Sequence, residues 1–312
     1  MRTPLLLVAR TLVTLCAASV LIFVLLRLVP GDPAQVALGV DATPELVQAT
    51  RERFGLDRPL VVQYLEWMGG LLTGHFGTSF VSGQEMSAVV LDRTAVTLWL
   101  ALPSIALALL IATVLGTWAA LRRRSVDGLV ITVGSQMLMA VPGFLAGVLL
   151  VLGLSLGLGW LPPSGWVVPA DDPAAFLAHL VLPVLALTAV QAAILTRYVR
   201  EAMLEVIGQD YIVEARSKGL TRGQALVRHG LRNAAVPVLT VTGVQLSALL
   251  VGAVVIESVF DVPGVGSLLV EAVAGRDMVS VQGIVMVLVL ITVVLNLCVD
   301  LLHTVIDPRT RA

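Results

Sequence analysis

The chain has 312 residues, of which 57% are hydrophobic and 13% charged, with a mean hydropathy of +0.95. Soluble domains average about 25% charged residues, so a chain this apolar does not stay in water and belongs to the membrane class. The net charge of −1 is uninformative by itself; where the charges fall carries more, and nothing in their pattern calls for nucleic acid.

A membrane-spanning helix needs roughly 20 apolar residues, and six candidates follow in chain order. The first, Thr11 to Leu26, is short and flanked by Arg10 and Arg27, which can snorkel to the interfaces. Arg2 and Arg10 ahead of an apolar core resemble a secretory signal. No small-x-small cleavage site follows and five more spans do, so the segment is read as an uncleaved anchor. An outer segment of roughly 65 residues, Val29 to Arg93, comes next. There Thr43 caps a helix with Pro44 in its first position, expected to run to about Phe54 before Gly55 ends it. A second amphipathic piece, Val61 to Leu72, places Tyr64, Leu65, Met68 and Leu72 on one face. The aromatics Tyr64, Trp67, Phe76 and Phe80 favour packing, so this segment is read as a small helical subdomain on the outer membrane surface.

The second span is Thr94 to Leu121. The third starts near Gly128 and runs uncharged to Trp160, with Pro142 inside it. The fourth is Ala174 to Thr196, the fifth Asn233 to Ile256 and the sixth Met278 to Val299. With the N-terminus inside, the inner segments hold 14 Lys and Arg residues and the outer segments 6, which puts both termini in the cytoplasm. The expected organisation is an N-terminal transmembrane helix over 1–28, an extracytoplasmic helical segment over 29–93, and a core of five spans over 94–312. That core includes a cytoplasmic loop at about 201–232.

No enzyme constellation stands out. His75, His179, His229 and His303 are scattered, without partners at metal-ligand spacing, and no G-x-S-x-G occurs. Cys16 and Cys298 sit in apolar runs and read as small apolar residues, not a disulfide or metal pair. A phosphate-cradling loop needs G-x-x-x-x-G-K-[ST]. The only lysine, Lys218, follows Arg216-Ser217, so ATP hydrolysis by that route is excluded and no cofactor is expected on this chain. Ion-coupled transporters carry titrating groups inside the membrane. The cores of the six spans are read as free of them, which argues against a secondary transporter. Their polar groups are neutral: Gln136, Gln191, Gln245 and Asn296, which either line a path or bond across helices. Gly143 with Gly147, Gly153 with Gly157, and Gly243 with Ser247 have the spacing that permits close helix approach. Close-packed spans without a power source suggest a subunit of an assembly rather than a mere anchor.

The loop Asp210 to Thr240 is the longest polar stretch of the second half. Tyr211 to Lys218 can form two helical turns, with Gly219 as a left-handed cap. Thr221 with Gln224 is the T-x-x-Q capping box of a second helix running toward Asn233 and Pro237. Tyr211, Ala215 and Lys218 share a face, with Glu214 beside them. Small Ala215 would let that face sit deep in a partner's groove. A basic loop on anionic headgroups and a rigid knob for a partner subunit both fit this composition.

Read as "EARSKG", a basic helix and "LRNAAVPVLT", the loop resembles the Glu-Ala-Ala-x-x-x-Gly loop of ABC importer permeases. Glu214, Ala215 and Gly219 fill the motif, and Arg216 replaces its second alanine. "RLVPGDPA" from Arg27, "RFGLDRPLVVQYLEWMGGLLTGHFGTSF" from Arg53, "ESVFDVPGVGSLLVEAV" from Glu257 and "IDPR" at Ile306 to Arg309 extend the resemblance over nearly the whole chain. They are similar to the first permease of dipeptide and oligopeptide importers, a family that includes nickel importers. His75 departs from the acidic residue usual in the family before its Gly-x-Ser stretch. The resemblance implies an all-α permease fold of six transmembrane helices in a bacterial inner membrane. It also implies a second related permease, two cytoplasmic ATPase subunits that bind ATP and Mg, an extracytoplasmic solute-binding protein and a peptide cargo, with nickel or another small solute as the alternative. It makes Tyr211, Glu214, Ala215, Arg216, Lys218 and Gly219 the expected coupling residues.

Overall fold

The computed structural model describes residues 2–39 and 42–306. The expected basic residues Arg309 and Arg311, and all of the closing motif beyond Ile306, lie outside them. Among the described residues the chain is helical, and its β-structure is an isolated bridge between Thr78 and Glu85. The chain divides into two compact units, one formed by Met1–Thr97 with Pro263–Val294, the other by Leu98–Val262 with Leu295–Ala312.

The first unit begins with the apolar helix α1 (Arg2–Arg27) and two short helices, α2 (Pro33–Leu38) and α3 (Pro44–Arg53). Both short helices start as their sequences require. Asp32 Oδ1 accepts from the Ala34 amide at 3.1 Å and Thr43 Oγ1 from the Leu46 amide at 3.3 Å, each just ahead of a proline at the first helical position. Asp32 also accepts from Arg51 at 2.7 Å, tying α2 to α3. Gly55, at φ +65°, closes the turn after α3 where a side chain would be strained.

The next helix, α4 (Leu60–Leu72), packs through the Tyr64 side of the expected face together with Trp67. Tyr64 and Trp67 meet Phe23 of α1 at ring-centroid distances of 5.4 and 6.2 Å, and the Tyr64 hydroxyl lies 2.8 Å from Ser19 Oγ. Leu65 and Leu72 instead remain 62% and 84% exposed. The two aromatic rings carry more apolar area than the leucines and, one helical turn apart, they select the half-buried contact stripe.

The unit's core gathers Phe76, Met86 and Val90 against Val265 and Leu268 of α12 (Val265–Ala274) and Ile284 of α13 (Met278–Ile306). Asp277 organises the polar part of this junction. It is 5% exposed and accepts hydrogen bonds from Ser79 Oγ, Ser280 Oγ and the Phe80 and Ser280 amides. Gly283 lets α13 touch the Phe76 backbone, where a Cβ would collide with the carbonyl oxygen.

The second unit holds most of α5 (Ser87–Leu121), then α6 (Val126–Met139), α7 (Gly143–Leu150) with a π-helical extension Val151–Gly157, α8 (Pro173–Ile207), and the loop helices. It ends with α11 (Leu231–Phe260) and the last turns of α13. Helices α1, α5, α8, α11 and α13 are each long and apolar enough to cross a membrane.

The third expected span is not one straight helix. It breaks between α6 and α7 with a bend of 104° and completes a six-span count only if the pair crosses together. Pro142 disfavours helical geometry at Val141, which ends α6 just before it. Pro103, Pro183 and Pro237, by contrast, lie inside continuous helices.

Helix α5 approaches α8 along buried small residues at Ala101, Ser104, Ala108, Ala112 and Gly116. At Ser104 the hydroxyl reaches Val184 O at 3.3 Å, and a Cβ on Gly116 would lie 2.8 Å from Thr196 O. Gly243 similarly admits Asn296 and Val299 of α13 against α11, the close approach expected of the Gly243–Ser247 spacing. Gly147 serves the same purpose against Phe260, whereas Gly143 and Gly153 face open space.

The spans are also not free of titrating groups. His179 already lies inside the expected fourth span and falls within α8, and α11 runs past Ile256, so that Glu257, fully buried, falls within it.

Candidate functional site

The loop between α8 and α11 is built as two short helices. The first, α9 (Asp210–Ser217), starts with an acidic residue that complements the helix dipole. It ends in a complete Schellman motif, in which the Gly219 amide donates to Arg216 O at 3.0 Å and the Leu220 amide to Ala215 O at 3.3 Å. That closure needs positive φ at the glycine, and Gly219 has φ +94°. The second helix, α10 (Arg222–Ala225), opens with the expected reciprocal box. Gln224 N donates to Thr221 Oγ1 at 3.3 Å, and Thr221 N donates to Gln224 Oε1 at 3.0 Å. Helix α10 then continues through a π-helical turn, Leu226–Gly230, directly into α11. The second loop helix is therefore the first stretch of the fifth span, and a displacement of it can be carried along one continuous rod.

The knob is anchored from below. Ile212 and Ala215 of α9 are 1% and 8% exposed, and Ala225 and Leu226 are fully buried. Burying an isoleucine stabilises by about 1.5–3 kcal/mol relative to leaving it in water. Gly230 lets the π-helical turn press on α8, where a Cβ would lie 3.0 Å from Val206. Ala215 therefore faces its own chain. Ile212 and Ala215 are one turn apart and form the inward stripe, so the expectation that Ala215 presents the helix to a partner is corrected. The outward face carries Val213, Glu214, Arg216, Ser217 and Lys218, all exposed, and Tyr211 is half-buried.

On that outward face Lys218 donates to Glu214 at 2.6 Å, one turn apart. This hydrogen bond, reinforced by the ammonium charge, holds the Glu214 carboxyl below the usual carboxylate range. The only lysine is thus engaged in a surface ion pair. The Tyr211 hydroxyl is buried without a hydrogen-bond partner among the described residues.

The family described as binding-protein-dependent transport system inner membrane component matches residues 112–312, and the corresponding N-terminal family matches residues 5–101. A Brucella abortus (strain 2308) protein with the provisional name peptide transport system permease protein is 40% identical over 304 residues, covering 97% of both chains. The glutathione transport system permease protein of Salmonella typhimurium is 38% identical over 299 residues, covering 96% of this chain and 95% of that one. The oligopeptide transport system permease protein of Bacillus subtilis is 38% identical over 312 residues, covering 97% and 98%. The chain belongs to the binding-protein-dependent transport permeases. It is a multi-pass, non-catalytic membrane subunit of an ABC transporter and works in a complex with other subunits.

Within this permease the four neutral polar residues lie on four different helices. Gln136 is exposed on α6 and Gln245 half-buried on α11. Gln191 is 7% exposed, with its Oε1 unbonded among the described residues. Asn296 donates to Ser247 at 3.2 Å, joining α13 to α11. The sequence reading passed over Asp277, although an Asp directly before an apolar run is a helix-start signal. It also passed over Gly116, whose partner lies 80 residues away in α8.

Proposed function

We propose that this permease forms half of the transmembrane path of an importer for di- or oligopeptides, and that α9 transmits the ATPase cycle to it. The observation that carries this reading is the form of the loop. A free headgroup-binding loop has no use for a Schellman closure, a reciprocal capping box and a buried Ile212–Ala215 stripe. A part that must move as one body does.

Glu214, Arg216 and Lys218, with Tyr211 at the edge, would meet the ATPase. Ala215 and Gly219 would fix the shape that presents them. The complex would comprise this chain, a second related permease, two cytoplasmic ATPase subunits holding ATP and Mg, and an extracytoplasmic solute-binding protein. It would sit in a bacterial inner membrane, with both termini and α9 on the cytoplasmic side and residues 29–93 outside. Gln136, Gln191, Gln245 and Asn296 are the path-lining candidates, and the bond of Asn296 to Ser247 supports a helix-packing role for that residue. Peptide cargo is favoured over nickel because the matched relatives carry the names of peptide, oligopeptide and glutathione systems.

The test is uptake by the reconstituted five-subunit assembly, comparing labelled dipeptides, longer peptides and nickel with and without ATP. ATP-dependent accumulation of peptide but not nickel is expected; nickel uptake with no peptide uptake would overturn the cargo.

A further inference from the structure

We propose that the second unit binds one anionic phospholipid, with an acyl chain in the cavity between α5, α6, α7 and α8 and the headgroup at Arg123 and Arg124. The proposal rests on the membrane placement of the chain and is independent of cargo. The cavity measures about 660 Å³ and its walls are apolar, with Leu115, Leu138, Leu149 and Ala192 drawn from the four helices. Two of its three hydroxyls are committed to helix backbone: Ser135 donates to Thr132 O and Thr188 to Ser104 O, while Thr196 is the third. One hydroxyl falls short of the two to four polar partners that a buried water needs. At Gly134 on its α6 wall, a Cβ would meet nothing within 4 Å, so there is room at the wall itself.

The charge lies where a headgroup would. Arg122, Arg123 and Arg124 follow the end of α5. Ile111 and Leu115, the α5 residues of the cavity, lie about 12–18 Å along the helix from Arg123 at 1.5 Å per residue. Half of a bilayer's hydrocarbon core is about 15 Å, so the cavity sits at acyl depth when the arginines sit at headgroup depth. Arg122 is committed to its own chain. It donates to Asp127 at 3.0 Å and covers the Trp118 ring at 5.2 Å, and Trp118 Nε1 also donates to Asp127, at 2.8 Å. That cluster fixes the α5–α6 turn. Arg123 and Arg124 are exposed, and neither is in an ion pair among the described residues. Two exposed guanidiniums half a bilayer along α5 from an apolar slot match the spacing of a phosphodiester and its chain, and favour one that has no compensating cation.

The experiment uses the complete assembly in nanodiscs of phosphatidylcholine with a minor share of phosphatidylglycerol, followed by native mass spectrometry of the lipid retained per permease. Retained phosphatidylglycerol is expected to exceed its bulk share on the order of tenfold, the scale two interfacial arginines supply. Arg123→Gln with Arg124→Gln should return the retained lipid to bulk composition. Gly134→Leu, a substitution that favours the helix, should lower retained lipid of either headgroup. Retention at bulk composition by the wild type, or unchanged retention in both variants, would overturn the site. So would a disulfide from Gly134→Cys to a helix of the second permease, which would show protein in the cavity.

Discussion

Gly219 and Glu214 sit five residues apart and act on the coupling loop through different physics. At Gly219 a Cβ would meet nothing within 4 Å, so substitution is not opposed by crowding inside the chain. It is opposed by the backbone, since φ is +94° and a β-branched residue is an outlier at positive φ. Gly219→Val should therefore cost about 1–2 kcal/mol locally, enough to open the Schellman closure and small beside the burial of the whole membrane domain. The expected outcome is normal membrane level and co-purification, with uptake and stimulated ATPase turnover both lost. Wild-type uptake would show that α9 is not the linkage. At Glu214 the effect is electrostatic. Lys218 depresses its pKa in the folded chain, so the pair's stabilisation is complete above the ordinary carboxylate value. It is lost as pH falls through the lowered one. Coupled ATPase activity should thus hold at neutral pH and weaken on acidification, and Glu214→Gln should remove that acid-side component. A pH profile identical in wild type and variant would exclude Glu214 from the contact.

Local signals decide which elements were legible in the sequence. Thr43 with Pro44, Gly55, Thr221 with Gln224, and Gly219 all act within one turn of themselves, and each does what its residue type implies. What was not legible depends on partners far along the chain or on direction. Hydropathy counts apolar residues without recording which way they point, so the uncharged run through Pro142 hid a 104° bend. The expected face of α4 kept Tyr64 but turned toward Trp67 and away from Leu65 and Leu72, because Phe23 of α1 takes both rings. Asp277 is the clearest case: it is a helix-start residue whose other ligand, Ser79, lies 198 residues earlier. The start of α13 is thereby stapled to the turn at Ser79–Phe80. Replacing Asp277 by Ala leaves buried hydroxyls and amides unpaired and should destabilise by about 2–4 kcal/mol, each such group costing about 1–3. Asp277→Asn, which keeps an acceptor, should cost less. Thermal unfolding of the purified assembly would measure the loss. Hydrogen exchange should localise it to residues 76–86; unchanged protection there would refute the staple.

At the scale of the whole molecule, the broken pair α6–α7 decides the topology. If it crosses the membrane, the chain has six spans and the 14 to 6 excess of basic residues puts the N-terminus in the cytoplasm. If it dips in and returns, the chain has five, and with the N-terminus outside the same count again gives 14 inside and 6 outside. The loop carrying α9 is cytoplasmic either way, so basic-residue counting cannot separate the two arrangements. What separates them is whether the turn before α6 and the loop after α7 face opposite sides. Val126 and Val168 mark those two places and are 77% and 50% exposed. Cys16 and Cys298 are free and exposed, so they must first be replaced by alanine. In that background, Val126→Cys and Val168→Cys are expected to react with an impermeant maleimide from opposite faces, Val168 from outside. The six-span arrangement is expected because only it puts the three arginines Arg122–Arg124 in the cytoplasm, and short loops carry the orientation signal more strongly than the long segment 29–93. Labelling of both cysteines from one face would make α6–α7 a re-entrant pair. It would also move residues 29–93 to the cytoplasm, away from any extracytoplasmic binding protein.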